Sequence, residues 1–369
     1  MLVRQVWLLA GLMPSLGLAA TANLDIWDVD KSCDGKRDFL QESMDVALEI
    51  ATAGRDSLEF VKNRPDGRSD PDGYAKWKRI YKACNAVLGI KADKDGSSAQ
   101  IDVAKAVFDK MVSVIPSQQN DPPDGYVSKL KNRDGAKPKL MCGDEEGEDS
   151  WKWYGLGDKV PGKANDLLNE PEFRSFILEV EGAWVYDARW VWKETEREKP
   201  ILCRDDLWAA VYWDKDLLVF CDRMFSSESQ GLPSPKSLKT SGITELDKLG
   251  DHAKHISVIM VHELSHWFGG IATDANGQQS LEPVVIDQTA VSYKGKGQYK
   301  FQYKVNGAIM EFDNEPSAKE AKDNGWERVM TYGVKDVWAL AAFSTDKALK
   351  NADTLSLFAL MMQVHFWPS

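Results

Sequence analysis

The segment Ile259-Met260-Val261-His262-Glu263-Leu264-Ser265-His266-Trp267-Phe268 holds two histidines four positions apart, with a glutamate directly after the first, the pattern HExxH. On an α-helix, residues i and i+4 share a face, so His262 and His266 can each direct a ring nitrogen at one zinc ion. Glu263 then lies one residue round the helix, within reach of a metal-held water without being a ligand. Zinc lowers the pKa of such a water towards about 7, and a carboxylate so placed takes its proton, which leaves a nucleophile for attack on a carbonyl. With 5 histidines in 369 residues, chance would supply roughly 0.005 such matches, so coincidence is a poor explanation. The surrounding Ile256, Val258, Ile259, Val261, Leu264, Trp267 and Phe268 describe a buried helix, in which two histidines need partners. The competing reading is a pair of core histidines satisfied by hydrogen bonds, with no metal.

A hydrolytic zinc site needs a third protein ligand and one open position. After His266 the nearest carboxylates are Asp274, Glu282, Asp287, Asp313, Asp323 and Glu327; no HExxHxxGxxH extension follows, and His365 stands almost at the chain end. A carboxylate between 270 and 330 is therefore the expected ligand.

The elements that must position these residues are readable in outline. Apolar residues at helical spacing mark three helices between 36 and 116, through Phe39, Met44, Val46, Ala47, Ile50 and Ala51, then Trp77, Ile80, Tyr81, Cys84, Val87 and Leu88, then Val103, Val107, Phe108, Met111 and Val112. Turn formers at 64–67, 70–73 and 120–125 separate them or close the last. Two short apolar runs, Ala209 to Trp213 and Leu217 to Phe220, flank Asp214-Lys215-Asp216 and read as a hairpin ending at Cys221. Helical periodicity returns at 251–268 and 332–365. Between them, 270–330 reads as a loop carrying a small strand pair, with Tyr299, Phe301, Tyr303 and Val305 in alternation. Residues 143–200 open with the acidic cluster Asp144, Glu145, Glu146, Glu148 and Asp149, whose spacing fits a solvated loop better than a calcium loop, and continue through Trp151, Trp153, Trp184, Trp190 and Trp192. These tryptophans read as packing residues, with a sugar-binding platform as the alternative.

The composition of 43% hydrophobic and 28% charged residues with 14 tryptophans excludes a disordered or collagen-like chain. Residues 1–22, with Arg4 as their one charge, an apolar stretch from Val6 to Met13 and a small-x-small end at Ala20-Thr21-Ala22, read as a secretory signal peptide. Pro14, Ser15 and Gly17 interrupt the stretch too early for a membrane anchor. The net charge of −11, one unit more negative once Arg4 leaves, argues against nucleic acid and anionic membrane as partners. Five cysteines in a secreted chain allow at most two bridges and leave one over, and none of their spacings is a CxxC metal knuckle.

The stretch Thr331-Tyr332-Gly333-Val334-Lys335-Asp336-Val337-Trp338-Ala339-Leu340-Ala341, followed by Lys347 to Ala359 with its Asn351-Ala352-Asp353 and Phe358-Ala359, resembles the end of the aspzincin, or deuterolysin-like, secreted fungal metallopeptidases. Phe220-Cys221-Asp222-Arg223-Met224-Phe225 is similar to the strand and loop that precede the zinc helix in that family. The resemblance covers the order of elements from Cys33 to the C-terminus, while its specific motifs occupy about a quarter of the chain. It implies an α+β, zincin-like metallopeptidase, mainly helical with a small antiparallel sheet, formed by residues 23–369 as a single domain with insertions at about 143–200 and 270–330. It further implies a monomeric zinc endopeptidase acting on proteins or peptides, with one Zn2+ held by His262, His266 and an aspartate, Glu263 as general base, and Tyr332 as a donor to the oxyanion. The implied disulfides are Cys33 with Cys142 and Cys203 with Cys221, leaving Cys84 as a buried thiol; Cys33 with Cys84 is the alternative.

One departure matters. The family's aspartate ligand stands three residues before the Tyr of Tyr-Gly, where this chain has Val329, and about 50 residues have been added between His266 and Tyr332. Asp287 is the choice for the displaced ligand, because the apolar run Val284-Val285-Ile286 delivers it to a buried place, whereas Asp274 and Asp323 sit beside Asn and Gly in expected turns. Asp274, Asp323 and Glu327 stay open. Two other functions also stay open: a catalytically impaired secreted binding or effector protein that keeps the fold, and a tryptophan-rich binder of carbohydrate or cell wall.

Overall fold

The three N-terminal helical stripes are realised as α1 (Arg37–Val61), α2 (Pro71–Ala83) and α3 (Ser97–Val114). They belong to a computed structural model that describes residues 21–365, apart from 117–136, 148, 172–179, 188, 194–200, 205–206, 242–245 and 274–278. The turn at 120–125, Glu148, Asp274 and all but the last two residues of the expected leader lie outside the described residues.

Helix α1 is the centre of the main core. Its stripe of Leu40, Met44, Ala47, Ala51 and Leu58 is buried, and it packs on α3, on α7 (Ile256–Phe268) and on α11 (Ala352–Gln363). The approach to α11 and α3 is close at Gly54, where a Cβ would stand 3.0 Å from the Ala359 methyl and 3.2 Å from the Phe108 ring. An alanine there would have to push two packed helices apart.

The central sheet is mixed and mostly parallel, where a small antiparallel sheet was expected. β1 (Asp28–Val29), β2 (Lys139–Met141) and β7 (Leu217–Phe220) run parallel, and β6 (Ala209–Tyr212) pairs antiparallel with β7 at the edge, giving the order β1-β2-β7-β6. The expected hairpin is β6–β7. Its parallel partners are two and three residues long, too short to show a period in the sequence. Strand β7 is buried on both faces, with Leu218 and Phe220 in the main core and Leu217 and Val219 in a second cluster. Continuous apolar strands of this kind suit parallel pairing.

That second cluster holds Trp151 and Trp184 from 143–200, which is organised as the antiparallel sheet β3 (Lys152–Gly155), β4 (Gly182–Tyr186) and β5 (Arg189–Lys193). Trp151 and Trp184 are buried, and Trp153, Trp190 and Trp192 are half-buried against the two satellite clusters, so the tryptophans pack. Of the acidic cluster, Asp144 is not merely solvated: its carboxylate accepts the backbone N–H groups of Leu202 and Cys203. The disulfides are Cys33–Cys142 and Cys203–Cys221, and Cys84 is a buried thiol whose pKa burial pushes up.

A buried ion network ties this second layer to the sheet. The Lys139 ammonium lies 2.9 Å from Asp28, 3.5 Å from Asp30 and 3.3 Å from Asp187, and the Arg189 guanidinium, without solvent exposure, pairs with Asp187 at 2.8 Å. Asp30 accepts the Tyr186 hydroxyl at 2.6 Å and the Ser32 N–H at 2.9 Å. Burial alone would raise the Asp30 carboxyl, but these hydrogen bonds and the Lys139 charge outweigh it and hold the pKa below the ordinary value. A folded-state pKa below the unfolded one stabilises fully above about pH 4 and is lost as pH falls through the folded value. Asp30→Asn is therefore expected to lower the thermal midpoint at neutral pH, with the gap to wild type closing below about pH 4. A gap that does not change with pH would show that the Asp30 charge is not what stabilises the junction.

Beyond β7 the chain forms α4 (Ser227–Gln230), α5 (Pro235–Ser241) and α6 (Leu246–His252), then α7. Where 270–330 was expected to hold a loop with one strand pair, it holds two hairpin systems. One is β8 (Ile271–Thr273) with β9 (Gln279–Pro283); the other is the meander β10 (Val291–Gly295), β11 (Gln298–Val305) and β12 (Ala308–Phe312), followed by α8 (Ala318–Asp323) and β13 (Glu327–Arg328), which also pairs with β11. Val291, Phe301 and Tyr303 form its buried stripe against Ala321 and Leu340. The Lys and Gly residues of β10 and of its turn to β11 mask that outer strand in the sequence. α9 (Gly333–Phe343) and α10 (Thr345–Leu349) lead into α11. Among the described residues, no helix is long and apolar enough to cross a membrane.

Candidate metal centre

Helix α7 carries His262, Glu263 and His266 in a run buried on nearly every side, against α1, α3 and α11. His255 caps its N-terminus, its Nδ1 accepting the Ser257 N–H at 3.2 Å. At the other end Trp213 stacks on Trp267 with ring centroids 5.0 Å apart and donates its indole N–H to the His266 carbonyl at 2.9 Å.

The chain then turns back over the helix end. A Cβ at Gly269 would lie 2.5 Å from the Val285 side chain, so only glycine lets the returning segment come this close. Val284 N–H donates to the Gly270 carbonyl at 2.9 Å, and the Val285 carbonyl lies 2.9 Å from His266 Nδ1. Two residues further on, Asp287 meets the histidines.

His262 Nε2, His266 Nε2 and Asp287 Oδ1 form a triangle with sides of 3.2, 3.2 and 3.4 Å. Of the His/Cys/Asp/Glu groupings among the described residues, this trio alone has the spacing of a metal site. The tautomers follow from the far side of each ring. His266 Nδ1 faces a carbonyl, which can only accept, so that nitrogen carries the proton; His262 Nδ1 stands 3.4 Å from Asp353 Oδ1, which asks the same of it. In the neutral rings both Nε2 atoms then face one point with their lone pairs, as does Asp287 Oδ1, a buried oxygen whose polar neighbours there are these two rings. Three converging lone pairs repel unless a cation lies among them. Ligands about 2.0–2.1 Å from a tetrahedral zinc stand about 3.3 Å from one another, which is the size of this triangle. The donor set, two imidazoles and a carboxylate, also suits zinc.

The electrostatics favour a cation at the same point, a proton as well as a metal ion. Burial disfavours charge on both imidazoles, yet Asp287 outweighs it and raises His262 well above, and His266 above, the ordinary histidine value. Burial would raise Asp287 too, but the two histidines hold its carboxyl well below the usual range. The trio thus favours positive charge at its centre. Glu263 is buried beside it, and that burial raises its carboxyl pKa against the pull of His262 and His266.

Tyr332 donates its hydroxyl to Asp287 Oδ2 at 2.8 Å, and its ring centroid lies 5.9 Å from that of His262. Half of the residue is exposed, but burial of the hydroxyl end and the Asp287 charge push its pKa up, so it stays a donor. The helix after it starts through Gly333, whose φ of +77° favours glycine and whose N–H donates to Asp353 Oδ2 at 2.6 Å.

The other candidate ligands stand apart or outside the description. Asp323 is exposed and paired with Lys319, Asp313 is exposed and paired with Lys300, and Glu327 is exposed on β13. Asp274 lies outside the described residues. Val329 lies one strand away from the ligand segment: its carbonyl accepts the Ala290 N–H at 2.7 Å, and Thr331 N–H donates to Gln288 at 2.8 Å. Asp287 and Val329 thus lie on two segments joined by a backbone pairing. Sequence reasoning gave no role to Asp353 or Gly269. Asp353 belongs to the Asn351-Ala352-Asp353 stretch, and its contact with His262 spans too many residues for any periodicity to signal. Compared with protein-family models, curated proteins and solved structures, the chain gives no match, and the chemistry of the trio rests on its own geometry.

Proposed function

We propose that this chain is a secreted zinc endopeptidase of the aspzincin kind, with a zincin-like fold, that hydrolyses peptide bonds in proteins or peptides. The observation that carries the reading is the triangle of His262, His266 and Asp287 lone pairs at tetrahedral-edge spacing, with the buried Glu263 carboxylate beside it. His262, His266 and Asp287 would hold the ion, and zinc so bound would supply Lewis acidity to activate a water and polarise a carbonyl.

The remaining steps belong to the chain itself. Glu263 accepts the proton of the attacking water on its carboxylate and returns it to the leaving nitrogen as the peptide bond breaks. Its burial beside the trio places the carboxylate where both transfers can occur without bulk water. Tyr332, protonated and half-exposed, can release Asp287 Oδ2 and donate to the oxyanion that develops on the carbonyl oxygen. Asp353 and the Val285 carbonyl keep the imidazoles turned with Nε2 inward. An extracellular location agrees with the leader-like N-terminus and with two disulfides, which persist in oxidising compartments.

The test is metal analysis of the purified protein together with a general protease assay on casein. One zinc per chain and chelator-sensitive cleavage, restored by added zinc, are expected. Zinc without cleavage would favour a binding or effector protein built on the same site, and absence of zinc would overturn the metal reading.

A further inference from the structure

We infer that Asn351 is a positioning residue for the third metal ligand: its side chain takes the place of a neighbouring strand and holds in register the segment that presents Asp287. The inference deepens the metal-site reading and rests on it.

Asp287 lies on no helix or strand. The segment between β9 and β10 is tied down by single contacts, and the two on either side of Asp287 converge on the corner between α10 and α11. Ile286 N–H donates to the Lys350 carbonyl at 2.9 Å, in an isolated parallel bridge between Ile286 and Asn351. At Gln288, where a continued strand would offer the next carbonyl, the acceptor is a side chain: Gln288 N–H donates to Asn351 Oδ1 at 2.9 Å.

The amide is fixed in this orientation. Asn351 has no solvent exposure, and its Nδ2 donates to Thr354 Oγ1 at 3.0 Å, a partner that is equally buried. The oxygen therefore faces Gln288 and the nitrogen faces the helix. On the opposite side the segment is closed by Thr331 N–H to Gln288 at 2.8 Å and Ala290 N–H to Val329 at 2.7 Å. Without the Asn351 oxygen, a buried N–H next to the ligand loses its acceptor, and the segment must shift to find another. The first turn of α11 then orients two ligands at once, with Asn351 acting on Asp287 through the backbone and Asp353 acting on His262 directly.

The test measures zinc affinity of the full chain by competition with a chromophoric chelator, alongside the thermal midpoint of the metal-free protein. Asn351→Ala is expected to weaken zinc binding about 10–100-fold, the range typical of lost outer-shell support. Asn351→Asp, which keeps an acceptor for Gln288 N–H, should recover part of that loss. Leu58→Ala, in the α1 core, is the stability control, expected to lower the midpoint while leaving zinc affinity unchanged. If Asn351→Ala does not fold, Asn351→Ser, too short to span to Gln288, is read in its place with the same expectation. Wild-type affinity in the Asn351 variants, or equal weakening by Leu58→Ala, overturns the inference while leaving the metal site standing. A wild-type protein that binds no zinc overturns both.

Discussion

Replacing Glu263 by glutamine is expected to reduce peptide hydrolysis by about 10²–10⁴-fold or more while leaving one zinc per chain. Glutamine keeps the length and shape of the side chain and loses its basic oxygen. The residue is buried beside the His262, His266 and Asp287 trio without belonging to it, so those three side chains should hold their arrangement. Removing a carboxylate whose pKa is raised by burial also relieves a desolvation cost, and the variant should be no less stable than the wild type. Unchanged turnover would remove Glu263 from the mechanism, and loss of zinc would make its role structural.

Asp287→Ala has the second large expected effect: loss of tightly held zinc and of activity together. Two imidazoles on one helix are a weak zinc site, and the carboxylate supplies both the third donor and the negative charge that draws a cation inward. Tyr332 loses its acceptor in the same variant, so its ring should become freer. Substitutions at Asp323 and Glu327, both exposed and away from the trio, should leave zinc content unchanged. Retention of one zinc by Asp287→Ala would move the third ligand elsewhere, with Asp274 the first residue to examine.

How much of this was legible in the sequence differs from residue to residue. The pairing of His262 with His266 on α7 was readable because a four-residue spacing on a helix fixes their common face before any tertiary contact forms. Asp287 was readable through the apolar run before it, which has a physical counterpart: Val285 is buried against Gly269, and that packing carries Asp287 to the histidines. The parallel strands were not readable, since β1 and β2 are defined by partners far along the chain and not by any pattern of their own. Asn351 and Asp353 lay in plain view, yet their roles depend on which distant backbone the α10–α11 corner meets. Local propensity carries no information about such pairings.

The return of the chain over Gly269 also bears on the order in which the molecule assembles. Had the third ligand stood at 329, the peptide joining it to His266 would span more than about sixty residues; with Asp287 it spans about twenty, which lowers the entropy lost on closing that ring by about 1 kcal/mol. The shorter ring leaves out the meander, α8 and β13 altogether. A metal ion could then be captured once α7 and the turn behind it exist, before the β10–β12 sheet is built. Zinc is accordingly expected to speed refolding as well as to stabilise the end state, and stopped-flow refolding with and without added metal would reveal it as a change in the folding rate and not only in the unfolding rate.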